Sequence, residues 1–201
     1  LKSIYELGLL FLAKGDIENA EPLIRMAHEG NDKSLGPEHS QTLESLNGLA
    51  KIFHLKRNYA AAEPLMRQAL EGREKVFGLE HRETLWSLNN LGAVLADKGD
   101  FEEAEGLLRK ALQTKVKLFG PSHLSTLKST HNLGRVNERK GNRKEAIKLF
   151  RQAFEGKKTV LGLKHSSTLE SGVFLLELLI EIGKVNDAAL LCVRLLDTFE
   201  G

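Results

Sequence analysis

The sequence predicts an all-α solenoid of helix–turn–helix repeats, and three observations predict it. The marker Gly-x-x-His-x-x-Thr-Leu recurs from Gly36, Gly78, Gly120 and Gly162, each 42 residues after the last. In that register Leu1, Leu43, Leu85, Leu127 and Leu169 coincide, and so do Ser3, Ser45, Ser87, Ser129 and Ser171. Between the markers, large apolar residues fall at helical spacing, with four prolines in the chain and abundant Leu, Ala, Glu and Lys. Such a period marks stacked units: one helical hairpin cannot bury its apolar face alone, so its neighbours supply the rest of the core.

The register gives five repeats, 1–42, 43–84, 85–126, 127–168 and a shorter 169–201, joined by short connectors such as Gly78-Leu79-Glu80-His81. No linker or domain boundary is visible, so residues 1–201 read as a single array. Repeat one has Leu1–Lys14, a turn at Gly15-Asp16, and Ile17–Leu35. Repeat two has Leu43–Lys56, a turn at Arg57-Asn58, and Tyr59–Phe77. Pro22 and Pro64, in Ala-Glu-Pro-Leu, remove a backbone hydrogen bond and are expected to bend the second helices near their starts.

Repeat three has Leu85–Asp97, a turn at Lys98-Gly99-Asp100, and Phe101–Phe119. Leu85, Leu88, Leu91 and Leu95 form one buried stripe; Phe101, Ala104, Leu107, Leu108, Ala111 and Leu112 form the other. Gly92 sits where a neighbouring helix must come close, and Asp100 is placed to cap the second helix. Repeat four carries Thr130, Asn137 and Arg143 where the others are apolar and is expected to be the weakest link. Repeat five, Leu169–Ile182 then Val185–Phe199, is the most apolar. The chain begins in phase with a repeat and stops near the end of a second helix, which reads as an array excised from a longer protein.

Composition excludes several classes. A net charge of +2 gives no argument for nucleic acid or a membrane surface, and the most apolar run, Val173–Ile182, is broken by Glu177 and Glu181. The lone Cys192 rules out an internal disulfide framework and fits a reducing, cytoplasmic compartment; it falls on the buried stripe of the last helix. Metal binding needs ligands within roughly 2 Å of one ion. His39, His81, His123 and His165 instead stand in a row, with neighbours roughly 10 Å apart at the helix-packing distance. Their expected role is structural, an imidazole hydrogen-bonding the loop before each repeat. There is no phosphate-cradling glycine loop, no Ser-His-acid signature and no zinc-ligand motif, so neither an enzyme nor a cofactor is expected.

Leu88-Asn89-Asn90-Leu91-Gly92, Gly99-x-Phe101-x-x-Ala104-Glu105, Leu108 and Ala111 resemble the tetratricopeptide repeat signature. The 42-residue period, Ala-Glu-Pro-Leu in repeats one and two, and the Gly-x-x-His-x-x-Thr ending resemble the kinesin light chain type of that family. The resemblance covers the whole chain. It implies a right-handed superhelix whose first helices line a concave groove, acting as an adaptor or scaffold for a protein or peptide partner.

Carried over residue by residue, the resemblance places Tyr5, Asn47, Lys51, His54, Trp86, Asn89, Lys128, His131, Arg135 and Arg139 in that groove. Asn47 and Asn89, one repeat apart, resemble the groove asparagines of kinesin light chains, whose amides hold a peptide backbone whatever its sequence. Asn47 with Lys51 matches half of the arrangement that holds acidic chaperone C-termini, but Ala93 does not supply the next asparagine. Lys128, Arg135 and Arg139 make repeat four basic, whereas Glu170, Glu177 and Glu181 make repeat five acidic, a gradient that would orient a bound segment. The alternative is a structural segment packed permanently against neighbours in a large assembly. The oligomeric state stays open.

Overall fold

The computed structural model describes residues 1–196, and among them the regular structure is helical throughout. The elements are α1 (Lys2–Ala13), α2 (Ile17–Leu35), α3 (Ser40–Leu55), α4 (Tyr59–Phe77), α5 (Arg82–Lys98), α6 (Phe101–Phe119), α7 (Leu124–Arg139), α8 (Arg143–Leu161), α9 (Ser166–Glu181) and α10 (Val185–Leu196). The end of repeat five, including the last residues of the helix expected to reach Phe199, lies outside the described residues.

From α3 onward, each first helix begins three residues before the sequence register put it, at Ser40, Arg82, Leu124 and Ser166. The marker histidines are the reason. His39, His81, His123 and His165 are the N-caps, held in extended backbone. Their Nδ1 atoms accept the N–H groups of Gln41 at 3.2 Å, Glu83 at 3.3 Å, Ser125 at 3.2 Å and Ser167 at 3.1 Å. An N-cap acceptor satisfies one of the free donors at a helix start. The imidazoles therefore begin the helices rather than fasten the loops before them.

Second helices start on shorter caps. Asp16 accepts from the Asn19 N–H and Asn58 from the Ala61 N–H, both at 3.2 Å. Pro22 and Pro64 sit inside α2 and α4, which run on past them to Leu35 and Phe77. The hairpin turns place Gly15, Gly99, Gly141 and Gly183 at positive φ; the equivalent residue in repeat two is Arg57, at φ 57°. A side chain there brings its Cβ close to the following carbonyl, a conflict glycine does not have.

The chain falls into two compact units, Leu1–Ala104 and Glu105–Gly201, with the division inside α6. In the first unit α1 packs on α2, α2 on α3, α3 on α4 and α4 on α5. Tyr5, Leu12, Ala20, Ile24, Ala27, Leu49 and Ile52 form one core cluster. Helices meet closely at small residues: Ile24 lies 2.6 Å from where a Cβ on Gly8 would stand, and Leu43 lies 2.5 Å from one on Gly72. In the second unit α7 packs on α8, α8 on α9 and α9 on α10. Its core holds Phe150, Phe154, Leu175, Leu178, Leu179, Leu191 and Leu195. The Phe150 ring comes within 2.8 Å of a Cβ on Gly134, the counterpart of Gly92 one repeat earlier. Thr130 and Asn137, the polar residues of repeat four, are buried but satisfied. Thr130 donates to the Thr126 carbonyl at 3.1 Å and Asn137 to the Leu133 carbonyl at 2.9 Å.

From repeat two onward, successive repeats are joined by a buried cation. Arg73, Lys115 and Lys157 recur at 42-residue spacing on the second helices and are almost fully enclosed. Each reaches into the first turn of the next repeat. Arg73 donates to the Glu83 carbonyl (3.3 Å) and Ser87 Oγ (2.8 Å), and Lys115 to the Ser125 carbonyl (3.5 Å) and Ser129 Oγ (2.8 Å). Lys157 donates to the Ser167 carbonyl (3.1 Å) and Ser171 Oγ (2.8 Å). The recurrent serine column is thus the acceptor for a column of cations.

A second column is ionic, and its carboxylates are half-buried. Glu21, Glu63 and Glu105 each bridge to the turn lysine of the following repeat, Lys56 at 2.8 Å, Lys98 at 2.9 Å and Lys140 at 2.7 Å. Each also pairs one helical turn along with Arg25, Arg67 or Arg109. These hydrogen bonds, the lysine's first, hold the three carboxyls below the usual carboxylate range. At the fourth step the acid and the lysine become Ile147 and Ile182.

Arg57→Gly is expected to raise stability by about 1 kcal/mol, the left-handed cost it removes. A denaturation midpoint that stays put or falls would mean that the arginine side chain holds the turn by contacts of its own. At the seam, Ser171→Ala is expected to cost about 1–3 kcal/mol because it leaves a buried ammonium short of an acceptor. Lys157→Met, which removes the ion itself, is expected to be near neutral. Burial also brings the Lys115 and Lys157 ammoniums down to about 8, from 10.5. Between pH 8 and 10 the unfolded chain then binds more protons than the folded one, so stability rises with pH. Unfolding curves should show this rise in the wild type and lose it in the Lys115→Met/Lys157→Met double variant.

Candidate functional site

The residues expected to bind a partner sit on the first helices, and packing sorts them into two groups. Of those five residues into a repeat, the three in repeats one, two and four lie along the edge where the next first helix docks. Tyr5, Asn47 and His131 are accordingly buried rather than lining an open surface, a correction to their placement in the groove. The Tyr5 hydroxyl donates to the Glu44 carbonyl at 3.2 Å, and Asn47 Nδ2 donates to Ser87 Oγ at 3.1 Å. His131 Nδ1 lies 3.0 Å from Ser171 Oγ, with the rings of Phe150 and Phe174 each 5.3 Å away. Burial, and then the charges of Lys157 and Arg135, bring its imidazole down to about 3 and keep it neutral. Asn47, at 1% exposure, spends its amide N–H on the same seam serine that Arg73 reaches. The sequence carried this signal in the serine column, which named the acceptor but not its donors.

The remaining candidates reach solvent. In the first unit Lys51 is exposed and Asn89 half-buried. His54 is half-buried, with its Nε2 2.7 Å from Asp97 Oδ2, tying the end of α3 to the end of α5. Trp86 is 41% exposed, on the outward face of the first turns of α5. The Arg73 guanidinium stands 5.0 Å from the centre of its ring, so the buried cation below the indole orders it from one side. Trp86 is therefore not wedged into the core.

In the second unit Lys128 and Arg139 are exposed, and Arg135 is half-buried with its guanidinium 5.8 Å from the Phe174 ring. Glu138 lies between these cations in the sequence. Burial, and then the charge of Glu181, raise its carboxyl. Glu170, Glu177 and Glu181 are exposed on α9. Cys192, expected in the buried stripe, is only half-buried. Among the described residues, no three His, Cys, Asp or Glu side chains come together as metal ligands, and no helix is long and apolar enough to cross a membrane.

Comparison with known proteins accords with this geometry. A tetratricopeptide repeat family model matches residues 2–75, 48–115 and 83–159. No curated protein sequence matches the chain. Among solved structures the chain is similar to the nearly identical repeats of a kinesin light chain from Podosopora anserina. The identity is 26% over 98% of this chain and 93% of that one, with a TM-score of 0.81. It is similar in fold to BtubC (BKLC) from P. vanneervenii, at 19% identity over 99% of this chain and 79% of that one, with a TM-score of 0.81. A Rap protein complexed with competence and sporulation factor shares the fold at 18% identity and a TM-score of 0.84, over 97% of this chain and 52% of that one. The fold is one typical of protein–protein interaction scaffolds, and the chain belongs to the tetratricopeptide repeat family.

Proposed function

We propose that this chain is an adaptor that binds an extended protein segment along the exposed faces of its first helices. Lys51, Trp86 and Asn89 are the contact residues of the first unit, and Lys128, Arg135 and Arg139 those of the second. The observation that carries this reading is Trp86. A large amphipathic ring, open to solvent and held from one side by the Arg73 guanidinium, loses little conformational freedom on binding. The similarity to kinesin light chain repeats supports it, as does a Rap protein of the same fold that holds a bound factor. Neither Tyr5, Asn47 nor His131 belongs to the contact surface in this reading. They stiffen the seams beneath it.

A second reading, a segment packed permanently against neighbours in a large assembly, is favoured by repeat five alone. There Val173 stands exposed where other repeats carry Tyr5, Asn47, Asn89 and His131, and Ile180 beside it on α9 is 61% exposed. Under that reading the isolated chain self-associates through α9 and α10.

A pull-down followed by peptide-array mapping would supply the segment, and Trp86 fluorescence reports its binding. Binding is expected to shift the emission to the blue and to shield the indole from quencher. Asn89→Ala is expected to weaken binding by about 1–3 kcal/mol if its amide holds buried peptide backbone, with the helical circular dichroism unchanged. A segment that binds tightly while Trp86 stays spectrally silent and Asn89→Ala binds equally well would reject this surface. Concentration-dependent light scattering suppressed by Ile180→Glu would favour the assembly reading instead.

A further inference from the structure

One seam is short of negative charge. Each cation of the buried column lies thirteen residues before a side chain at the start of the next first helix: Arg73 before Trp86, Lys115 before Lys128, Lys157 before Glu170. In the first of these pairs the guanidinium stands 5.0 Å from the indole centre, so the later residue sits over the buried charge. Arg73 also has the Glu83 carboxylate at 3.4 Å and the favourable charge of Glu44. Lys157 has Glu170, whose charge favours its ammonium. Lys115 has neither. Ser125 stands at the place of Glu83, and Lys128 at the place of Trp86 and Glu170. Among the described residues, the one charge that acts on Lys115 is that of Lys128, which has its own sign.

The upper ammonium of this pair is open to solvent. Lys128 is exposed and pairs with no carboxylate among the described residues, whereas Lys115 is 3% exposed. Lys128 acts unfavourably on Lys157 as well, where Glu170 offsets it. Ser125 lies three residues before Lys128, on the same face of α7. It is half-buried, and its hydroxyl makes no hydrogen bond among the described residues. Two like charges held together by a fold disfavour each other, and here one of them is already out of water.

We propose that Ser125 and Lys128, above the buried Lys115 ammonium, form a subsite for a phosphoryl group, carried by a phosphorylated serine or threonine of the bound protein segment. The inference rests on the reading of the first helices as the partner-binding surface and names the chemistry the segment presents at repeat four. A phosphoryl monoester carries about −1.5 to −2 charge near pH 7, which matches two ammoniums. A carboxylate would leave one of them uncompensated. The phosphoryl oxygens accept from the Lys128 ammonium and the Ser125 hydroxyl. Lys115 stays on the Ser125 carbonyl and Ser129 Oγ and adds its field from below. A charge held in the low-dielectric seam attracts the anion more strongly than a second exposed lysine would.

The probe is monoethyl phosphate, titrated into the full chain at constant ionic strength while backbone amide resonances are followed by NMR, with sodium acetate and sodium chloride as controls. Saturable shifts are expected at Ser125, Lys128 and Ser129, with acetate at least fivefold weaker and chloride silent. Lys128→Glu, which gives Lys115 the acid that Lys157 has, is expected to abolish these shifts and to raise the melting temperature. Burial, and then the charge of Lys128, bring the Lys115 ammonium down to about 8. Affinity for the probe is therefore expected to fall as pH rises from about 7.5 to about 9.5, because Lys115 loses its proton over that range. Lys115→Met is expected to weaken the probe at neutral pH and to remove most of that fall. No saturable shift at these residues, equal affinity for acetate, unchanged binding in Lys128→Glu, or a pH profile that Lys115→Met leaves unaltered would overturn the proposal. The probe needs no partner segment, so silence here while Trp86 still reports segment binding rejects the phosphoryl subsite and leaves the surface standing.

Discussion

A charge taken out of water must find acceptors, and the seams between these repeats are arranged around that need. Arg73, Lys115 and Lys157 leave their own helices and end on a carbonyl and a serine of the next repeat. Those carbonyls are available because the marker histidines start each first helix early, exposing its first turn to the helix before. The serines in turn receive Asn47 and His131 from the preceding first helix. One buried donor thus fixes three elements at once: the second helix that carries it, the first turn it enters, and the edge of the first helix beside it.

This arrangement separates what holds the array from what it offers to a partner. The row of Tyr5, Asn47 and His131 lies inside the seam, whereas Lys51, Trp86, Lys128 and Arg139 stand outside it. Arg73 serves both sides, since it bonds Ser87 below and faces the Trp86 ring above. A ring ordered by a buried charge is coupled to the stability of the seam, so the binding surface and the core are not energetically independent at that point.

The period, the hairpins and the turns were legible because each is written in residue types with one dominant use. The turns at Gly15-Asp16, Arg57-Asn58 and Lys98-Gly99-Asp100 and the leucines at helical spacing all fall where the register puts them. The helix starts were misplaced by three residues because histidine is an uncommon cap, and nothing in its spacing distinguishes a cap from a loop fastener. Exposure was harder. Asn47 and Asn89 are the same residue one repeat apart, yet one is buried and the other half-exposed, a difference that depends on what packs across them. The cation column was present as Arg73, Lys115 and Lys157 at a fixed interval, but charged side chains are ordinarily read as solvated surface, and only their shared serines could have argued otherwise.

The ionic column has a bearing on how such an array can change over evolutionary time. Glu21, Glu63 and Glu105 present the same carboxylate to the same lysine, so the repeats they join are interchangeable at that contact. Unequal recombination among them would copy or delete a unit and still leave matched charges. At the step from repeat four to repeat five the same two positions hold Ile147 and Ile182 instead. A copy of repeat five placed after any earlier unit would set an isoleucine against a glutamate that has lost its lysine. The last repeat is therefore tied by chemistry to its predecessor, while the interior of the array is free to lengthen or shorten.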